Sequence, residues 1–189
     1  VESCLGISAG NNNAVIILGQ KQNFTEGWLV CSRYEEIIRD SFERSPPPID
    51  LKAEKQIIET IITLNNNKLI TGAHDISDGG LLIATCEMLF ENRLGLNVNL
   101  PKGLLNSNAK DHLLHSWCFG EDQNRIIVST NELDKVVSLL KENLIDYYIL
   151  GTTNISSNLN LNELDTISIM NLYNINETTI PSLMDTYKS

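Results

Sequence analysis

Short apolar runs alternate with amphipathic stretches along most of the 189-residue chain. The runs Asn13–Gly19, Leu96–Leu100 and Asn124–Thr130 have the length and the turn-forming boundaries of strands. Between them, Leu51–Leu64 and Leu81–Phe90 place apolar residues at helical spacing. Because strands and helices alternate without the regular spacing of a βαβ repeat, the sequence predicts one α+β domain, a mixed sheet with flanking helices.

The helix predicted over 51–64 has clear start and stop residues. Pro46–Pro48 cannot continue a preceding helix, and Asp50, just before the apolar stripe, is a preferred N-cap residue. Asn65–Asn67 favour turns and therefore end the helix. Further along, Pro101–Ser116 predicts another helix. Near the end of the chain, the runs 159–161 and 166–169 predict two paired strands.

The charge balance excludes some classes of partner. The chain has 24 acidic and 14 basic side chains and a net charge of −10. A general nucleic-acid binder needs a basic face, and an anionic membrane attracts basic rather than acidic proteins. No apolar run approaches the roughly 20 residues that span a bilayer. We therefore expect no nucleic acid and no membrane among its partners.

The cysteines and histidines do not indicate a metal cluster. The four cysteines are far apart and form no CxxC pair, so neither a zinc site nor a disulfide framework is indicated. No segment resembles a secretory signal, so the interpretation is reduced thiols in a cytoplasmic protein. His112 and His115 are three residues apart without a third ligand nearby, and we expect them to be solvated.

The segment Ala73–Met88, AHDISDGGLLIATCEM, carries the most chemical information. It combines a strand end, a loop with two acids, a Gly-Gly pair and the start of a helix. Unsatisfied N–H groups at a helix N-terminus attract phosphates, and glycines let a ligand approach the backbone. Asp75 and Asp78 could hold a Mg²⁺ ion that bridges phosphates. The alternative is that Ser77 or Asp78 caps the helix and the glycines only form the turn.

Two further polar segments are candidates for ligand contacts. In Phe119–Arg125, FGEDQNR, the side chains of 121–123 could contact ligand hydroxyl or amide groups. Arg125 could pair with Glu121 or with a phosphate. The alternative is a solvated turn before an edge strand. The short loop Cys31–Tyr34 is polar too, and a plain surface turn is its simpler interpretation.

Together these segments resemble the C-terminal domain of the AIR-synthase-related proteins. Within that superfamily the greatest similarity is to the phosphoribosylformylglycinamidine synthases of purine biosynthesis. The resemblance covers most of the chain from about Asn13, and it rests on the order and spacing of several motifs. These are Cys31–Tyr34, Pro47–Leu51 with Glu54, His74–Leu81, Phe119–Arg125 and Ile149–Gly151.

The resemblance implies an ATP-dependent carbon–nitrogen ligase. In that family the amide oxygen of formylglycinamide ribonucleotide is phosphorylated, and ammonia then displaces the phosphate to give the amidine. The implied cofactors are ATP/ADP and Mg²⁺. The implied partners are preceding AIR-synthase-like domains of the same polypeptide and a glutaminase subunit or domain that supplies the ammonia.

The synthases that the chain resembles contain two tandem copies of a two-domain unit. The resemblance is to the second domain of the second copy. We therefore expect 1–189 to be one domain of a longer enzyme, with 1–12 as a linker from the preceding domain. We expect this domain to be inactive alone, and to serve as a scaffold or as an auxiliary nucleotide or phosphate site.

The resemblance also assigns the site residues. Asp75 takes the metal position, and no catalytic residue is expected in this chain. Cys31 and Arg33 stand where the family usually has a glycine and an acid. The residues expected to contact a phosphate, nucleotide or substrate are Ser32, His74, Ser77, Asp78, Gly79, Gly80, Glu121, Gln123 and Arg125.

Two alternatives stay open. One is another ATP-dependent enzyme of the superfamily, of the selenophosphate synthetase or thiamine-monophosphate kinase type. The histidine before Asp75 and the FGEDQNR segment favour the purine enzyme over these. The other is a purely structural interaction domain.

Overall fold

Seven strands and seven helices make up the part of the chain that the structure describes. The structure is a computed structural model, and it describes residues 5–19, 27–40, 45–105, 110–162 and 165–186. In chain order the elements are β1 (Ala14–Gly19), α1 (Arg33–Ile38), α2 (Leu51–Asn66), β2 (Gly72–Asp75), α3 (Gly80–Phe90), β3 (Gly95–Val98), α4 (Lys102–Leu105), α5 (Lys110–Phe119), β4 (Ile126–Thr130), α6 (Leu133–Glu142), β5 (Asp146–Asn154), β6 (Asn158–Asn160), β7 (Thr166–Ser168) and α7 (Ile169–Thr186).

All seven strands belong to one sheet, in the order β2-β4-β1-β5-β3-β6-β7. The pair β3–β6 is parallel and every other pair is antiparallel. This arrangement confirms the predicted mixed sheet of an α+β fold. The predicted pairing of the two short strands near the end of the chain, β6 and β7, is confirmed as well.

The central strand β1 contributes buried side chains to both faces of the sheet. All six of its residues are buried, as a strand covered by helices on both faces requires. Val15 and Ile17 pack in a core with residues of α3 and α5, among them the fully buried Trp117. Ile16 and Leu18 point the other way, into a core formed with α2 and α6. The result is a three-layer arrangement with helices on each side of the sheet.

Helix α2 confirms the capping prediction. It spans Leu51–Asn66, and the carboxylate of Asp50 accepts hydrogen bonds from the N–H groups of Lys52 and Ala53, at 3.0 and 3.1 Å. Ile57 faces the core and Ile61 packs against it, as the apolar stripe predicts, and Leu64 is buried in the same core. Leu51, Ile58 and Ile62, which also belong to the predicted stripe, are exposed. The helix ends at the asparagine run, with Asn67 as the C-cap residue.

The prediction of a helix within 101–116 is confirmed, and the structure places α4 and most of α5 there. Helix α7 was not predicted, because its asparagines and threonines are weak helix formers and it contains Pro181. Tertiary contacts fix its first turns: Ile169 is buried, and Tyr173 packs edge-on against Phe90. No helix in the described ranges is both long enough and apolar enough to cross a bilayer.

The segment before β1 is fastened to the domain. Ala9 is fully buried; its N–H donates to the Met88 carbonyl at 2.9 Å, and its own carbonyl accepts from the Asn92 side chain at 2.8 Å. The carbonyl of Gly6 accepts from the N–H of Ala73 on β2 at 3.1 Å. The part of the predicted linker 1–12 that the structure describes therefore packs against the sheet and α3; residues 1–4 lie outside the described ranges.

The α2 cap leads to a first prediction. Replacing Asp50 with alanine removes the acceptor for two N–H groups of the first helical turn, so we expect a loss of about 1 kcal/mol of unfolding free energy. Urea denaturation measures this loss. Asp50→Asn keeps an acceptor at the same place and is the matched control, expected to lose much less. Equal losses in both variants would contradict the capping role.

Candidate functional site

The pairing of β2 with β4 brings the two polar segments of the sequence together. The strands are antiparallel, with Asp75 opposite Ile126, and the N–H of Ile76 donates to the Arg125 carbonyl at 3.0 Å. The chain leaving β2 and the chain entering β4 therefore meet at the same end of the sheet. Strand register alone thus joins the HDISDGG and FGEDQNR segments.

A cleft of about 270 Å³ opens where these segments meet. Its walls come from the turn at Cys31, from Pro46 and Pro47, from the loop after β2 and from the turn before β4. Five predicted site residues lie in its wall, and the described residues that line it are Val30, Cys31, Pro46, Pro47, Asp75, Ile76, Ser77, Asp78, Glu121 and Gln123. The other predicted residues, discussed next, do not line it.

Ser32 has a capping role. It is buried, and its hydroxyl accepts a hydrogen bond from the N–H of Glu35 at 3.3 Å, as the N-cap of α1. The residue before it, Cys31, has a positive φ of 67° and is exposed to the cleft. The segment is therefore the turn that starts the short helix α1.

The glycine pair is explained by the turn and by packing. Gly79 and Gly80 have φ values of 84° and 76°, which favour glycine. A Cβ atom on Gly80 would lie 2.5 Å from the carbonyl carbon of Phe119, so the close approach here is to the chain's own backbone. Gly79 is the N-cap of α3 with no side-chain cap bond of its own, so neither Ser77 nor Asp78 is the N-cap residue that the alternative interpretation required.

Glu121 provides the acceptor that the α3 terminus lacks. Its Oε1 atom accepts from the N–H of Gly79 at 2.8 Å and also from the N–H of Arg33 at 2.8 Å. The N–H of Glu121 itself donates to the carbonyl of Trp28 at 2.9 Å. Glu121 therefore forms hydrogen bonds with three residues that are distant from it in the sequence, Trp28, Arg33 and Gly79.

His74 is directed toward α3. Its Nε2 atom is 2.8 Å from a carboxylate oxygen of Glu87, and its Nδ1 atom is 3.3 Å from an oxygen of Asp75. The His74 side chain is only 13% exposed, whereas that of Asp75 is 73% exposed. Glu87 was not predicted as a partner, because nothing in the spacing of a strand residue and a helix residue shows that they touch.

Arg125 forms a buried ion pair with Asp122. Its guanidinium is 2.5 Å from the Asp122 carboxylate and has no exposed surface, so its partner among the described residues is Asp122 and not Glu121, one of the two partners considered from the sequence. Asp122 also accepts from the Trp28 N–H at 3.0 Å. Burial lowers the pKa of Arg125, and Asp122 opposes that shift. The Nε and Nη2 atoms have no hydrogen-bond partner among the described residues. A phosphate could reach Arg125 only if this side chain left its buried position.

The cleft is negatively charged. Asp75, Asp78 and Glu121 line it, and no lysine or arginine does so among the described residues. The guanidinium of Arg33 lies at the rim, 2.5 Å from Glu36 and 3.6 Å from Asp78, and Glu36 raises its pKa. The described residues contain no group of three metal-binding side chains. Two exposed carboxylates on one cleft nevertheless fit Mg²⁺, which takes one or two protein carboxylates and completes its shell with water and phosphate.

His115 anchors α1 to α5. Its Nδ1 atom is 2.8 Å from the hydroxyl of Tyr34, whose ring stacks on Phe119 with centroids 5.1 Å apart. The expectation that both histidines are solvated was therefore wrong for His115, while His112 is exposed. This contact sets the position of the turn that carries Cys31.

The described cysteines are all free thiols. Cys86 and Cys118 are buried, and burial raises the pKa of each to about 12. Cys31 is exposed in the cleft, and Cys4 lies outside the described residues.

The family model "AIR synthase related protein, C-terminal domain" matches residues 11–161. The chain therefore belongs to this family of domains. Curated proteins similar to it include phosphoribosylformylglycinamidine synthase subunits PurL. That of Azorhizobium caulinodans is 39% identical over 117 residues, which is 61% of this chain and 14% of the relative. That of Rhodopseudomonas palustris strain HaA2 is 34% identical over 142 residues, 74% of this chain and 18% of the relative. The chain thus spans less than a fifth of the length of these relatives.

Solved structures confirm the fold. Thermotoga maritima PurL complexed with FGAR has a TM-score of 0.68 at 18% identity, covering 89% of this chain and 29% of that one. The same protein complexed with ATP has a TM-score of 0.63 at 17% identity, covering 89% and 27%. A HypE–HypF complex has a TM-score of 0.54 at 15% identity, covering 85% and 53%.

The buried ion pair gives a second prediction. Asp122→Asn removes the charge that compensates Arg125 but keeps an acceptor for Trp28, so we expect a loss of about 3 kcal/mol of unfolding free energy. Glu36→Gln breaks an exposed pair with the same sequence spacing and is expected to cost only a small fraction of that. Urea denaturation of both variants makes the comparison, and similar losses would show that burial of the pair is unimportant.

Proposed function

We propose that the chain is a domain of an ATP-dependent phosphoribosylformylglycinamidine synthase of purine (IMP) biosynthesis. The observation that carries this proposal is the cleft, where separate polar segments of the family resemblance meet. The PurL homologues support it as well. The HypE–HypF likeness shows that this fold occurs beyond PurL, so the homologues are what favour the purine enzyme over other reactions of the superfamily.

The proposed reaction belongs to the whole enzyme. The γ-phosphoryl group of ATP passes to the amide oxygen of formylglycinamide ribonucleotide, leaving ADP. Ammonia then attacks the activated carbon, and the carbon–oxygen bond breaks to release phosphate and form the amidine. The proposed partners are preceding AIR-synthase-like domains and a glutaminase that supplies ammonia; a related solved structure is described as PurLQS. The proposed location is the cytoplasm.

Within that enzyme we assign the cleft an auxiliary nucleotide or phosphate site that depends on Mg²⁺. A chain of net charge −10 needs local positive charge to hold a phosphate. Arg125 is buried in its pair with Asp122, and the Gly79 N–H is already bonded to Glu121. The exposed carboxylates of Asp75 and Asp78 are left to hold a Mg²⁺ ion, which would neutralise phosphate charge.

The second candidate is a scaffold without ligand. The hydrogen bond from the Gly79 N–H to Glu121 and the packing of Gly80 on Phe119 favour it. Both contacts account for the glycine pair without a ligand, because their partners belong to the chain itself. The two candidates differ in whether MgADP occupies the cleft.

Cys31 makes that difference measurable. In a Cys4→Ser variant we expect a maleimide at neutral pH to label Cys31 alone, because Cys86 and Cys118 are buried with raised pKa values. MgADP at ten times its dissociation constant should slow the labelling roughly tenfold. ADP with EDTA should not slow it. Labelling rates are measured by mass spectrometry of the intact protein.

The matched controls are two aspartate variants. Asp75→Ala removes the proposed metal ligand and should abolish the protection by MgADP. Asp134→Ala removes a carboxylate on α6, outside the cleft, and should keep it. Equal labelling rates with and without MgADP in the parent chain would contradict the nucleotide site and favour the scaffold.

We also expect the 189-residue chain alone to show no turnover, because it spans less than a fifth of its PurL relatives and offers only an auxiliary site. The assay supplies formylglycinamide ribonucleotide, MgATP and ammonia, and measures amidine and phosphate. Full-length PurL from one of the relatives is the positive control. Amidine production by the chain alone would contradict this expectation.

A further inference from the structure

Glu121 joins two turns whose residues line the cleft. Its Oε1 atom accepts from Gly79 on the β2–α3 turn and from Arg33 at the start of α1, each at 2.8 Å. These turns are far apart in the sequence. Glu121 also lines the cleft between them.

Both N–H groups come from positions that lack an acceptor in their own helix. N–H groups at the start of a helix have no helical partner. Gly79 has no side chain, so the start of α3 receives no cap bond from its own N-cap residue. In α1 the Ser32 hydroxyl is bonded to Glu35, which leaves the Arg33 N–H for another acceptor. A carboxylate is a strong acceptor for such groups and is favoured near a helix N-terminus.

The bonding capacity of the Oε1 atom is fully used. A carboxylate oxygen has two lone pairs, and here each one meets a backbone donor. A ligand oxygen that was to accept from Gly79 would first have to displace this atom. The atom is thus committed to the protein itself and is not open to a ligand.

We propose that Glu121 is a positioning residue: its Oε1 atom holds the two turns together and does not contact a ligand. The idea that these turns border a nucleotide site rests on the function proposed above. The idea that Glu121 holds the two turns in position does not rest on it. Because the amide oxygen of glutamine can take the place of the Glu121 Oε1 atom and accept both hydrogen bonds, neutral Glu121→Gln should still hold both turns. Glu121→Ala should release both together.

Amide hydrogen exchange tests the positioning directly. We expect Glu121→Ala to speed the exchange of both the Gly79 and Arg33 amides by roughly tenfold or more, measured by NMR on the whole chain. Glu121→Gln should keep most of the protection. Gln123→Ala is the matched control, since Gln123 lines the same cleft without bonding to either turn. If Glu121→Ala does not fold, Glu121→Asp, one methylene too short to reach both donors, takes its place.

MgADP binding to the same variants separates positioning from ligand contact. Glu121→Gln should bind MgADP like the parent chain, and Glu121→Ala more weakly. Unchanged exchange of Gly79 and Arg33 in Glu121→Ala or Glu121→Asp would overturn the proposal. So would a Glu121→Gln variant that keeps the protection but loses MgADP binding, because the charge would then be contacting the ligand. If the parent chain does not bind MgADP, the nucleotide site fails while the exchange result still decides the role of Glu121.

Discussion

Burial of β1 on both of its faces is the constraint on which the rest of the fold depends. The strand bonds to β4 on one side and β5 on the other, and all its residues are buried. Val15 and Ile17 enter one core, and Ile16 and Leu18 enter the other. Each such side chain contributes roughly 1.5–3 kcal/mol by leaving water, so a shift by one residue would exchange the two cores. The position of β4, and with it the cleft, follows from this register.

The cleft is built from the ends of elements that the sheet holds in place. The pairing of β2 with β4 places Asp75 and Glu121 at the same end of the sheet. The buried Arg125–Asp122 pair holds the turn that precedes β4. The interior of the site is therefore held by groups that bond to the protein. The carboxylates of Asp75 and Asp78 remain exposed, which leaves the surface of the cleft negatively charged.

The sequence predicted elements well where local signals agree. Asp50 was correctly predicted as a cap because a cap is a contact between near neighbours. The site was predicted less well. The motifs were found and they do meet, yet Ser32 caps α1 and Arg125 pairs with Asp122. Every predicted site residue is polar or glycine, and residue type alone does not say whether such a group bonds to a ligand or to its own chain.

By itself the sequence determined the α+β class, most elements, the family and the segments that form the site, because these depend on periodicity, turn residues and motif order along the chain. Only the tertiary structure decided which groups of those segments stay open to a ligand. Three features arise from contacts between segments that are distant in sequence. They are the burial of Arg125, the packing of Gly80 on Phe119 and the two hydrogen bonds that Glu121 accepts. Such contacts are set by strand register and side-chain packing, and no local pattern encodes them.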